Sequence, residues 1–154
     1  MPIRRATQDD LAPLSELLDE YRQFYRQQSD LEGARRFLGT RLEHGDSYLL
    51  VHEGPAGTLQ GFVQLYPLLS TVRLAPLWLL NDLFVAPQAR RQGVGRALML
   101  AARELAQAHD VSHLKLATEI DNRSAQALYE SLGWQRDTAF CHYGLLFDTQ
   151  ADQD

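Results

Sequence analysis

Apolar residues recur at three- and four-residue steps through Leu11, Leu14, Leu17, Leu18, Tyr21, Phe24 and Tyr25. That spacing is the stripe of an amphipathic helix. Thr7 stands where its N-cap belongs, and Asp9 and Asp10 suit the positive end of a helix dipole. Ile3 to Ala6 reads as a short strand ahead of it. A second helix is expected over Leu31 to Leu42, with Gly33 as its weak point.

The period then shortens. Ser47 to Glu53 reads as a strand, Gly54-Pro55-Ala56-Gly57 as a turn, and Leu59 to Tyr66 as the returning strand of a hairpin. Pro67 to Pro76 reads as an irregular connection, within which Leu68 to Arg73 is a candidate substrate loop. Leu77 to Val85 is a dense apolar run broken only by Asn81 and Asp82, which suggests a strand buried on both faces. Pro87 ends it. Val94, Ala97, Leu98, Leu100, Ala101 and Leu105 give Gly93 to Ala108 a strong helical stripe. Val111 to Ile120 reads as a strand and Ser124 to Leu132 as a short helix. Gly133 stands where a left-handed C-cap belongs. Trp134 to Arg136 and Ala139 to Phe147 read as a closing β-hairpin, followed by a polar tail. The order β–αα–βββ–α–β–α–ββ predicts an α/β (α+β) domain with helices on both faces of a mixed sheet.

Composition narrows the function. The 154 residues suit one domain, 1–154. Fifteen Lys and Arg against twenty Asp and Glu give a net charge of -5, which argues against a nucleic-acid binder that works by neutralising phosphates. Cys141 is the only cysteine, which excludes an internal disulfide, and on a terminal strand it reads as core. His44, His52, His109, His113 and His142 show no metal-ligand spacing, so no metal is expected. No apolar run is long enough for a membrane span and the start of the chain does not read as a signal peptide, so a cytoplasmic protein is expected.

The sharpest chemical signal is Arg90-Arg91-Gln92-Gly93-Val94-Gly95-Arg96, between a buried strand and a long helix. Glycines there let the backbone approach an anion, and the N–H groups of the helix start point at it. The spacing is neither a P-loop nor a dinucleotide fingerprint, since Leu98 holds the third glycine position. Arg90-x-x-Gly93-x-Gly95 after Asp82-Leu83-Phe84-Val85 resembles the acyl-CoA pyrophosphate loop of the GNAT superfamily of N-acetyltransferases. The block from Asn122 through Leu128-Tyr129 to Gly133-Trp134 resembles the same superfamily's Asn-x-x-Ala-x-x-Leu-Tyr-x-x-x-Gly-Phe/Trp segment. The element order fits that fold, so the resemblance spans the chain.

The resemblance implies a mostly antiparallel central sheet of six to seven strands and an activity that moves acetyl from acetyl-CoA to a primary amine. The strand through Leu83, Phe84 and Val85 would splay from its neighbour and bind the pantetheine arm. The N–H of Phe84 or Val85 would meet the thioester carbonyl. Arg90 and Arg91 would add charge, and Gln92, Gly93, Val94, Gly95 and Arg96 would donate backbone N–H groups to the pyrophosphate. Asn122 and Ala125 would help hold the cofactor, and Tyr129 would be the general acid. Each has a plainer alternative: Tyr129 as a packing residue, Asn122 as a turn residue, and Arg90 and Arg91 as solvated charges.

An alkyl ammonium has a pKa of about 10.4, so its neutral, nucleophilic form lies about 4.6 kcal/mol uphill at pH 7. The pattern is nearest the polyamine and thialysine acetyltransferase branch, whose members often read Leu-Glu-Asp where this chain reads Leu80-Asn81-Asp82. An amide orients water but takes no proton. Asp82 is the first candidate base and Glu119 the second, with a structural carboxylate as the alternative for Asp82. Strand alternation would put Asn81 and Asp82 on opposite faces. Trp78, Tyr66, Phe24, Tyr21 and Tyr25 are open to core packing or to an amine pocket. The expected partner is a small-molecule amine. The terminal hairpin through Phe140, Tyr143 and Leu145 is a candidate homodimer contact. The alternatives are a catalytically silent acyl-CoA sensor or a protein that binds another nucleotide at the same loop.

Overall fold

The computed structural model describes residues 2–148. The chain divides into two units, Met1–Ala117 and Thr118–Asp154. The first unit holds five strands, β1 (Ile3–Arg5), β2 (Tyr48–Glu53), β3 (Leu59–Ser70), β4 (Ala75–Val85) and β5 (Leu114–Lys115). They lie in one sheet in that order. The β1–β2, β2–β3 and β3–β4 pairs are antiparallel, and β4–β5 is parallel. The sheet is therefore mixed and mostly antiparallel as expected, but with five strands rather than six to seven.

Helices α1 (Leu11–Phe24) and α2 (Leu31–His44) cover one face. Leu14, Leu17 and Leu38 pack there with Leu49, Val51, Phe62 and Phe84, each nearly or fully buried. Helix α3 (Val94–Ala108) covers the other. Gly61 sits at their contact, where a Cβ would come within 2.7 Å of the Phe84 carbonyl oxygen and 3.2 Å of Leu98 Cδ1. A glycine is needed to let α3 and β4 approach β3 this closely.

Local signals mostly acted as anticipated, with informative exceptions. Thr7 precedes a 3-10 turn, Gln8–Asp10, and Asp10 does the capping: its Oδ2 accepts the Thr7 N–H at 2.8 Å. Gly33 leaves room for the Asp30 cap of α2: the Asp30 Oδ1 accepts the Gly33 N–H at 2.9 Å, and a Cβ at Gly33 would make that carboxylate shift.

The expected irregular connection, Pro67 to Pro76, is instead a hairpin that carries β3 to Ser70 and β4 back from Ala75. Trp78 gives its N–H to the His113 carbonyl, so its backbone groups face β5. Pro67 opposes Trp78 at a position outside the β3–β4 ladder, and Pro76, two residues from Trp78, is placed alike. Neither proline deletes a ladder hydrogen bond, so both are tolerated. Leu69, Val72 and Leu74 near the tip are exposed.

The second unit contains α4 (Arg123–Ser131). The hairpin expected over 134–147 is absent, and 134–148 run without regular structure. Phe140, Tyr143, Leu145, Leu146 and Phe147 are exposed, as is Cys141, which was expected in the core. A two-stranded hairpin needs a third strand or a helix to bury its apolar face, and a nine-residue helix offers little. The expected strand over Val111 to Ile120 shrinks to Leu114–Lys115. Among the described residues no helix is long and apolar enough to cross a membrane.

Candidate active site

In the first unit the site grows out of β4. Strand β5 pairs with β4 only at Trp78 and Leu79, while β3 accompanies β4 as far as Val85. From Leu80 onward β4 has a ladder on one edge only among the described residues. Ala86 donates to the Gln60 carbonyl at 2.8 Å, which sets the phase of the antiparallel ladder. Phe84, opposite Phe62, therefore turns its N–H and C=O to β3, whereas Leu83 and Val85 turn theirs outward. Of the two N–H groups expected to meet a thioester carbonyl, that of Val85 faces outward and that of Phe84 is held in the ladder. Leu83 supplies the second outward group.

The outward Val85 carbonyl accepts Arg90 Nε at 3.1 Å. The same guanidinium lies over the rings of Phe84 (5.6 Å) and Phe24 (5.8 Å), so the side chain of Arg90 folds back onto the strand end. Beyond it, Arg91 (φ 61°) and Gly93 (φ 81°) are left-handed. Gly93 is the N-cap of α3, brings no capping side chain, and has nothing within 4 Å of the Cβ position; only its φ demands glycine. The first intrahelical bond runs from Ala97 N–H to the Gly93 carbonyl, so the N–H groups of Val94, Gly95 and Arg96 precede it. The first turn of α3 carries no acidic residue. Gln92 Nε2 bonds back to the Gln88 carbonyl at 3.3 Å. Such a helix start is chemically able to accept an anion.

Asp82, half-buried on β4, precedes these parts along the chain, and its neighbourhood departs from simple alternation. Asp82 pairs with Gln64 and Leu80 with Leu65, so Asn81 is an extra residue in β4, a β-bulge. The bulge breaks the expected opposition of Asn81 and Asp82: Asn81 Nδ2 donates to Asp82 Oδ2 at 2.9 Å. Gln64 Nε2 donates to the same oxygen at 3.3 Å, and Ser47 donates to Gln64 Oε1 at 2.9 Å. Burial, with the charge of Asp82 second, pushes the Tyr66 phenol up to about 12. Trp78 is buried and stacked on Tyr48, with centroids 4.2 Å apart, which makes it a core residue. Tyr21 packs edge-on against Tyr25 and Phe62 and tilted on Phe84. Phe24 remains half exposed. Gln64 and Ser47 went unnoticed in the sequence, although a glutamine inside Phe62-Val63-Gln64-Leu65 is a polar intrusion that signals a buried hydrogen bond.

In the second unit Asn122 is the N-cap of α4, and its Oδ1 accepts the Ala125 N–H at 3.3 Å. That engages the Ala125 donor and leaves the Asn122 Nδ2 edge for other contacts. At the far end Gly133 (φ 93°) gives its N–H to Glu130, and Trp134 gives its N–H to Tyr129. These two bonds make a Schellman C-cap. The accompanying apolar contact is the ring pair Tyr129–Trp134, with centroids 6.2 Å apart. Glu119, expected on a strand, lies outside one, and its carbonyl accepts from Asn122 N–H and Gln126 Nε2.

Residues 13–134 match the acetyltransferase (GNAT) family. An uncharacterised N-acetyltransferase of Bacillus subtilis strain 168, YhfO, is 46% identical over 145 residues, 94% of this chain and 97% of that protein. A probable acetyltransferase of Haemophilus influenzae is 29% identical over 135 residues, 88% of this chain and 90% of that one. The crystal structure of a probable acetyltransferase superposes with a TM-score of 0.90 at 36% identity, covering 97% of this chain and all of that one.

Proposed function

This chain belongs to the GNAT family of acetyltransferases, and on that footing we propose that it moves an acetyl group from acetyl-CoA to a primary amine. The acceptor is a small molecule or a lysine-like side chain, attacking directly in a ternary complex. The observation that carries this reading is the outward pair of N–H groups at Leu83 and Val85, followed along the chain by the Gly93-headed start of α3.

When bound, acetyl-CoA supplies a thioester whose acyl carbon accepts the amine and whose sulfur leaves as the thiol. The donor set suits it. The backbone of Gln92, Gly93, Val94, Gly95 and Arg96 holds the pyrophosphate, and Arg91 adds charge to a helix start that lacks a competing carboxylate. Leu83 and Val85 present N–H groups at a strand edge, which suits both the amides of an extended arm and a carbonyl oxygen gaining negative charge. The guanidinium of Arg90 serves the strand end.

Asp82 takes the proton of the acceptor nitrogen. Its carboxylate is the acid–base group of the β4 bulge, where Asn81 can only donate or orient water. Tyr129, assigned by family resemblance, gives its hydroxyl proton to the departing sulfur. Asn122 contributes its Nδ2 edge to the pantetheine arm.

Thiol release from acetyl-CoA with polyamines, thialysine, lysine, amino sugars and an N-terminal peptide tests the reading. Polyamines and thialysine head the panel because the Leu80-to-Val85 segment is nearest that branch. Acceptor-dependent turnover, with stabilisation by acetyl-CoA exceeding that by ATP or NAD, supports it. Stabilisation by acetyl-CoA without turnover on any amine replaces it with a CoA-sensing module.

A further inference from the structure

Gln64 is 2% exposed and Ser47 6%. Both ends of a buried amide must be satisfied, and here they are satisfied in a way that fixes its orientation. Ser47, just before β2, donates its hydroxyl proton to Oε1, and the Nε2 end faces Asp82 across the β3–β4 register. Rotating the amide by half a turn would put Oε1 against a carboxylate oxygen, two acceptors facing each other. Carboxylate and hydroxyl together select one orientation.

Asn81 donates to Asp82 Oδ2 as well. Both donors end on Oδ2, so Oδ1 is the oxygen that carries no donor among the described residues. A carboxylate held in this way has one oxygen engaged by donors and the other open. Tyr66, two residues along β3 from Gln64, stays a neutral phenol and does not compete as a base.

We propose that Gln64, held by Ser47, is a positioning residue for acetyl transfer, fixing the Asp82 carboxylate through Oδ2 so that Oδ1 receives the acceptor's proton. The inference rests on Asp82 being the proton acceptor of the proposed reaction. The acceptor attacks as the neutral amine, its ammonium proton already lost to solvent, and as the nitrogen–carbon bond forms its N–H proton passes to Oδ1. The carbon–sulfur pair leaves on sulfur, which takes its proton from a separate acid.

Turnover of the Gln64→Leu, Ser47→Ala, Ser47→Thr and Asp82→Asn variants tests this, with melting temperature recorded for each. A lost hydrogen bond to a charged group predicts a fall in kcat of about tenfold for Gln64→Leu, and the lost neutral bond that orients the amide predicts a smaller fall for Ser47→Ala, with KM for acetyl-CoA unchanged in both. Ser47→Thr keeps the hydroxyl and recovers most of the loss. Unchanged kcat in Gln64→Leu and Ser47→Ala, beside a silent Asp82→Asn, overturns the positioning role and leaves Asp82 as the base. Full activity in Asp82→Asn instead removes the base assignment itself, and the positioning role with it. A readout that needs no turnover and no Gln64 variant is the NMR signal of the Gln64 side-chain amide. Slow proton exchange and a shift on Asp82→Asn support the clamp. Exchange like that of a solvated glutamine overturns it.

Discussion

Asn81 and Asp82 are consecutive strand residues, yet Asn81 Nδ2 donates to Asp82 Oδ2 at 2.9 Å. Ordinary pleating would send the two side chains to opposite faces. The bulge places both on the same side, and it also changes phase along β4: Trp78 and Leu80 before it, and Leu83 and Val85 after it, face the α3 side. Deleting Asn81 would remove the bulge and leave Leu80 and Asp82 opposite Leu65 and Gln64, their present partners, so both halves of the strand keep their faces. The expected outcome is a cooperative thermal transition, followed by circular dichroism, that survives the deletion. Asn81→Ala keeps the chain length and should retain that transition.

Removing the carboxylate alone should spare the fold. Asp82→Asn is close in shape, and general acid–base groups contribute about 10²- to 10⁴-fold to rate. Steady-state kinetics on a responsive amine should show kcat falling at least about a hundredfold, with acetyl-CoA binding by calorimetry retained.

Gly93 adopts φ 81° with open space around its Cβ position, so Gly93→Ala carries a backbone cost and no clash. A left-handed alanine costs about 1–2 kcal/mol, which urea unfolding would register. If the residue relaxes out of that conformation, the start of α3 reorients and acetyl-CoA affinity falls. Gly133→Ala, at φ 93°, carries a similar backbone cost at the end of α4.

Tyr129→Phe keeps the ring that packs on Trp134 and removes only the hydroxyl. The larger effect should fall on kcat, which drops by about 10²-fold or more with the general acid lost. Trp134→Ala should do the reverse in emphasis, loosening the C-cap of α4 and lowering the melting temperature.

Arg4 makes two hydrogen bonds to Asp10, each 2.8 Å, which hold the Asp10 carboxyl below the usual carboxylate range; partial burial opposes the shift. The Arg4 guanidinium is raised in turn, chiefly by Asp10 and then Glu53. A depressed folded-state value means that this contribution is complete above the unfolded carboxyl value of about 3.9 and fades as pH falls through the folded one. Urea midpoints measured from pH 7 down to 2 should therefore drop below about pH 4. Asp10→Asn should be less stable at pH 7, by about 1–3 kcal/mol, and flatter in that acid range.

The helices and their ends were legible because they are local. The stripe from Leu11, the α3 stripe from Val94, the glycine ahead of α3 and the left-handed Gly133 each depend on residues within a turn or two. The hairpin through Pro67 and Pro76 was missed because a proline is tolerated or excluded according to the edge its nitrogen faces. That depends on the partner strand. The five-strand sheet and the irregular 134–148 likewise reflect what is available to pair, which no local pattern records.

By itself the sequence determined the family, the order of helices and central strands, and the glycine-headed start of α3 after the Arg90–Arg91 pair, since each is written in short-range spacing. Only the tertiary structure decided that Leu83 rather than Phe84 turns its N–H outward, that Asn81 is a bulge, and that Ser47 holds the Gln64 amide that donates to Asp82. A strand's phase is set by hydrogen bonds to residues some twenty positions away. One residue of register reverses every side chain and every N–H along it.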